Sequence, residues 1–207
     1  MGRFARIANK AAKNLGNSTK EYAEASLIYY QQGLSDAEAK ARADITLKAA
    51  NVTGQSAQEV SEQLTAVWNG YKVSAAEAET YVDKLAAVAA TTAADLEELS
   101  TGMSKVASAA NSMGVDVDQL SAQLATIISV TRQAPEAVGT ALKTIYARMG
   151  DLRLGETDED GVELGDVSSQ LAQVGVQVLD ATGNLRDMGE ITEEVAAKWN
   201  TWTEAQQ

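Results

Sequence analysis

Asp95-Leu96-Glu97-Glu98-Leu99-Ser100-Thr101-Gly102-Met103-Ser104-Lys105-Val106 opens with an acid suited to capping a helix and continues with apolar residues at helical steps. In a capping box, a Ser, Thr or Asp side chain accepts an otherwise orphaned N–H, and a Glu or Gln three residues on reaches back to the cap. The Asp95/Glu98 pair fits, and Leu99, Met103 and Val106 follow on one helical face. The same signature stands at Ser35/Glu38, Ser56/Glu59, Ser74/Glu77 and Asp116/Gln119, so the five starts are nearly evenly spaced. That spacing allows helices of four or five turns joined by short turns. Val60, Leu64 and Val67 form the apolar face of one such helix, and Leu120, Leu124, Ile127 and Ile128 that of another.

The pattern repeats. The shift that lays Ser35 and Glu38 on Ser74 and Glu77 also lays Glu59, Leu64 and Val67 on Glu98, Met103 and Val106. A 39-residue helix–turn–helix unit is close to the size of solenoid repeats, though two copies fall short of the three a solenoid needs. Further helices are expected over Thr19–Gln32 and from Pro135 to Met149, the latter with the single proline just inside its start. The fold class expected is mainly all-α: an antiparallel helical bundle of hairpins with a small C-terminal β-hairpin annex. Residues 1–18 read as a basic N-terminal segment, 19–150 as the helical domain and 151–207 as an acidic annex.

Outside this framework the composition excludes much chemistry. The chain has 207 residues, 45% of them apolar, with no cysteine and no histidine. Disulfides, thiolate nucleophiles, Ser-His-Asp triads and ordinary zinc sites are thereby ruled out. Net charge is −12, the wrong sign for a general binder of nucleic-acid phosphates. The charge is uneven: residues 1–150 hold fourteen basic and sixteen acidic side chains, residues 151–207 three and thirteen. The first twenty residues carry Arg3, Arg6, Lys10, Lys13 and Lys20 and no acid. Phe4, Ile7, Ala11 and Leu15 recur there at near-helical spacing, the pattern of a solvated terminal helix more than of an interfacial one. The longest apolar run, Leu85 to Ala90, is a third of what a membrane span requires.

After Gly150 the texture changes. Leu154–Gly161 reads as an exposed acidic loop, and a short helix is expected over Asp166–Val174. Val176-Gln177-Val178-Leu179 and Asn184-Leu185-Arg186-Asp187 flank the turn residues Asp180–Gly183, which predicts the β-hairpin. A last helix from about Ile191 carries Val195, Trp199 and Trp202 and is expected to run to the end of the sequence. Glu156, Asp158, Asp160 and Gly161 approach a calcium-loop pattern, but its twelfth position is Val167 instead of a bidentate Glu, so a solvated loop is the better reading. Glu97/Glu98 and the acidic loop are the only raw material for a carboxylate-pair enzyme. No catalytic, cofactor-binding or metal-binding residue is assigned. Trp68-Asn69-Gly70 resembles the turn of the WXG proteins exported by specialised secretion systems; as packing, it reads as a core tryptophan with Gly70 as a left-handed helix stop.

Longer strings carry a more specific resemblance. Tyr29-Tyr30-Gln31-Gln32-Gly33-Leu34-Ser35, Ala50–Ser56, Leu64–Gly70, Thr131-Arg132-Gln133, Val138–Arg148, Leu154–Thr157, Gly175–Asp180 and Lys198-Trp199-Asn200 occur in one order. From about Ala11 onward the chain resembles the conserved core region of tail tape measure proteins of long-tailed bacteriophages and prophages. That resemblance implies a structural virion protein inside the tail tube, made in the host cytoplasm, which takes part in tail assembly and sets tail length. It implies as partners the tail tube protein, assembly chaperones and tail-tip or baseplate proteins, with self-association possible and host-membrane contact only through regions outside this sequence. The sequence lacks the family's long downstream regions and so reads as a piece of a longer chain. A helical-repeat adaptor and a WXG-like secreted hairpin are the alternatives.

Overall fold

The computed structural model describes residues 3–151 and 164–204. Among them are ten α-helices: α1 Arg3–Leu15, α2 Thr19–Gln31, α3 Asp36–Thr53, α4 Ala57–Gly70, α5 Ala78–Ala89, α6 Leu96–Ser112, α7 Val117–Thr131, α8 Pro135–Asp151, α9 Leu164–Gln173 and α10 Met188–Lys198.

The helices begin where the caps direct. Ser35, Ser56 and Asp95 each accept from the N3 backbone, and Glu38, Glu59 and Glu98 return the bond. A further complete box, Ser18/Glu21, starts α2. Hydrogen bonds from the cap serine's backbone and hydroxyl lower the carboxyl pKa of Glu21, and those from hydroxyl and backbone lower that of Glu38 and Glu59. A carboxyl depressed in the folded state stabilises above its unfolded pKa and ceases to do so as pH falls through the folded value. These three boxes therefore weaken under acid.

Two boxes differ from expectation. Asp116 accepts from Gln119 N–H, but the amide end of Gln119 lies against Gly189 instead of returning to the cap. The Ser74 box closes a turn: Glu77 bonds back to Ser74, yet α5 begins only at Ala78. Replacing Asp95 with alanine is expected to cost about 0.5–2 kcal/mol, and an unchanged melting midpoint would contradict its capping role.

From α1 to α8, consecutive helices reverse direction across short turns, and alternate helices run parallel. Tyr29 of α2 stacks on Trp68 of α4 at 5.9 Å between ring centroids. Gln63 of α4 bonds Ser100 and Thr101 of α6, both at 3.0 Å, and further along Asn111 donates to Gly70 O at 3.0 Å. Because both numbers rise together, α4 and α6 are parallel. The other row behaves likewise. Arg42 reaches Val73 O and Lys48 reaches Glu79, both at 2.7 Å, linking α3 to the start of α5 and the turn before it. Lys84 meets Asp118 at 2.6 Å, and Arg132 donates to Ala93 O at 3.0 Å, linking the α5 and α7 edges. The bundle is thus a two-layer row of stacked hairpins, with α1, α3, α5 and α7 in one layer and α2, α4, α6 and α8 in the other.

The second layer makes the repeat visible. Its helices start at Thr19, Ala57, Leu96 and Pro135, so the period is constant to within one position. Tyr22, Val60, Leu99 and Val138 share one register position and are all buried; so do Ser26, Leu64, Met103 and Leu142. Four hairpins stack, twice the number visible in the sequence pattern. On the N-terminal side, Ala8, Ala11 and Ala12 of α1 are buried in the core that holds α2, α3 and α4.

Three sequence expectations are corrected. Gly70 is not a left-handed stop; it lies within α4, and Lys72 (φ 56°) takes the left-handed position while Val73 N–H bonds Trp68 O at 2.7 Å. Glycine is needed at 70 for another reason: a Cβ there would stand 2.8 Å from both Ala107 Cβ and Ser108 N of α6. The expected β-hairpin is a single antiparallel bridge, Leu179 to Leu185, with no strand among the described residues. Asp180 Oδ1 accepts from the N–H groups of Thr182 and Asn184 in the turn, Asp180 N–H bonds Asn184 O and Arg186 N–H bonds Val178 O across the arms, and Val176 and Val178 are buried in the helical core. Finally, α10 starts at Met188, where Asp187 caps Glu190 N–H, and ends at Lys198 in a 3-10 turn, Trp199–Thr201.

Candidate assembly surface

The two features with chemical promise lead elsewhere. Trp68 is fully buried, with its indole N–H donating to Ala78 O at 3.3 Å, so Trp-Asn-Gly is the last turn of α4 with its tryptophan in the core and Asn69 exposed. The Arg42 guanidinium lies 5.0 Å from the Trp68 ring centroid and donates to Val73 O, which ties α3 to the end of α4. Sequence reading missed Arg42 because a lone arginine on an alanine-rich helix gives no sign of burial.

Glu97 and Glu98 are adjacent in sequence but not in role. Glu98 accepts from Asp95 N–H at 3.0 Å and lies 4.0 Å from Arg132. Glu97 points outward beside Val52, Ala86, Ala89 and Ala90, on an open groove of about 350 Å³. Desolvation raises its carboxyl pKa, and the nearby charges of Asp95, Glu59, Glu98 and Glu136 add to the shift. Glu59, Glu97 and Glu136 come from α4, α6 and α8 and gather acidic charge on one edge of the stack, although only Glu97 and Glu136 share a register position, which Gln58 holds on α4. Among the described residues no three acidic side chains converge as a metal site would require. The calcium-like pattern at Glu156, Asp158, Asp160 and Gly161, and the side chain of Val167, lie outside them. No described helix is long and apolar enough to cross a membrane.

What remains accessible is surface for contact. Among the described residues, Leu27, Val52, Val130, Ile145, Leu179 and Trp199 are large apolar side chains left exposed. Val52 and Val130 stand at the C-terminal ends of α3 and α7, on the edge that holds the groove; Leu27 and Ile145 belong to the first and last helices of the other layer. The described residues form a column of stacked helical hairpins whose polar groups serve caps, turns and ion pairs. The chain belongs to the phage-related minor tail protein family, whose model matches residues 9–207. It is therefore a structural component of a phage tail, in contact with other tail proteins. No solved structure matches it.

Proposed function

We propose that this chain is the core module of a tail tape measure protein, acting in the lumen of the tail tube to guide assembly and set tail length, without catalysis. The observation that carries this reading is the constant period. Units that begin at such even intervals, at Thr19, Ala57, Leu96 and Pro135, each add the same increment of length. The ordered strings from Tyr29-Tyr30-Gln31-Gln32 to Lys198-Trp199-Asn200 support it. Tail tube protein, assembly chaperones and tail-tip or baseplate proteins are the partners that follow, met first in the host cytoplasm. Interhelix contacts made by alanine, serine and glycine are individually weak, so tube walls can replace them and draw the stack out.

Deleting one repeat in the phage, residues 57–95, tests the ruler directly. Drawn out as helix, the deleted unit spans about 58 Å, whereas a retained stack shortens by one interhelical spacing of about 8–10 Å. The expected result is intact virions with tails shorter by about 58 Å in electron micrographs. Tails of unchanged length would overturn the reading and favour the helical-repeat adaptor, which the stacked architecture also suits.

A further inference from the structure

We propose that the seam between α3 and α5 is a docking groove for a basic, aliphatic segment of another tail protein, with an arginine as the side chain that fills it. Within the layer α1, α3, α5 and α7, register shows what each seam holds at the edge where α3, α5 and α7 end. Ala39, Ala78 and Val117 share one position on α3, α5 and α7 and are all buried; Thr46, Leu85 and Leu124 share another and are buried too. Counted on in the same register, Asn51 corresponds to Ala90, and Ala93 to Arg132.

The two flanking seams are closed at this edge by a side chain that the later helix sends back to the earlier one. Between α1 and α3, Asn51 donates to Leu15 O at 3.1 Å and pairs with Asn17. Between α5 and α7, Arg132 donates to Ala93 O at 3.0 Å. At the α3–α5 seam the corresponding residues are Ala90 and Ala93, which have neither the reach nor a donor. The open groove of about 350 Å³ lies there, lined by Val52, Ala86, Ala89, Ala90 and Leu96, with Asp95 and Glu97 as its carboxylates. The gap is local, because Arg42 on Val73 O and Lys48 on Glu79 tie the same two helices further along.

Charge selects the occupant. Desolvation and the negative charges of Asp95, Glu59, Glu98 and Glu136 raise the Glu97 carboxyl pKa, so an entering cation is attracted there and an entering anion repelled. Arg132 shows at the next seam which side chain suits the start of α6: its guanidinium takes a carbonyl from the end of the α5 region and stands 4.0 Å from Glu98. An arginine also carries an aliphatic stem, which matches the alanines and leucine of the lining. Val52, 74% exposed, extends the apolar surface beyond the groove, so a chain segment with aliphatic residues beside its arginine covers more of it than a free cation does. The proposal requires only that the chain meets other tail proteins, and it stands apart from the setting of tail length.

The probes are two blocked pentapeptides, one with a central arginine between leucines and one with glutamate in its place, titrated into the full chain while its amide signals are followed by NMR. The arginine peptide should shift the amides of Val52, Ala86, Ala89 and Leu96 at millimolar concentration, and the glutamate peptide should not. Glu97→Gln should weaken binding by about two- to fivefold, the worth of one exposed ion pair. Ala90→Arg, which plants the cation in the groove from within, should abolish it. Both residues are exposed, so circular dichroism is expected to stay unchanged. No shifts with the arginine peptide, equal shifts with the glutamate peptide, or undiminished binding to either variant would overturn the proposal. A second copy as occupant would overturn it too, and would show in sedimentation as self-association that Ala90→Arg abolishes.

Discussion

Trp68→Ala should destabilise the protein by about 3–5 kcal/mol, the usual cost of removing a large buried aromatic, with a fall in melting midpoint of roughly 6–20 °C for a chain of this size. Trp68 is fully buried, packs on Tyr29, lies under the Arg42 guanidinium and bonds Ala78 O. Its removal opens a cavity, and it leaves Arg42, 5% exposed, without its aromatic cover. The residue also stands where the core around α1 to α4 meets the core around α6 to α8, since its neighbour Val67 belongs to the second. Truncation should therefore loosen the join between hairpins as well as one helix. Thermal or denaturant unfolding measures the loss. A midpoint within error of the parent would mean that Trp68 serves an exposed recognition turn and not the core.

Gly139→Ala should also destabilise, against the sign expected from helix propensity. In an exposed helix interior this exchange gains about 1 kcal/mol. Here a Cβ would collide with Gly102 O and fall 3.0 Å from Gly102 C, both backbone atoms of α6 that no side-chain rotation can move aside. α8 must shift away, and the expected net loss is about 1–3 kcal/mol. Gly70→Ala, with neighbours at 2.8 Å, should follow, and Gly102→Ala, whose nearest atom is Leu124 Cδ2 at 3.1 Å, should cost least. Thr140→Ala on the exposed side of the same helix should change stability by less than about 0.5 kcal/mol. A stabilised Gly139→Ala chain would show that α6 and α8 do not approach so closely.

The sequence by itself determined the helices. A cap and its reciprocal glutamate act within one turn of chain, so Ser35/Glu38, Ser56/Glu59 and Asp95/Glu98 were legible without any knowledge of packing. Ser74/Glu77 shows the limit of that locality: the glutamate returns to the serine, but its own N–H bonds the Ser74 carbonyl instead of the hydroxyl, and the pair closes a turn before α5 begins. The match of Glu59, Leu64 and Val67 to Glu98, Met103 and Val106 revealed half of the repeat. The other half stayed hidden because α2 starts one position out of step with the later helices and α8 starts at Pro135 without a box. Only the tertiary structure decided which helix lies beside which. Alanine, serine and glycine bury little area each and suit many partners, so their order along the chain does not encode the neighbour. It likewise decided that Gly70 and Gly139 are points of contact between helices, because close approach depends on residues a whole hairpin away in the chain, Ala107 for the one and Gly102 for the other. The β-hairpin failed for the same reason: Val176 and Val178 alternate as a strand would, but a helical core had already taken their side chains.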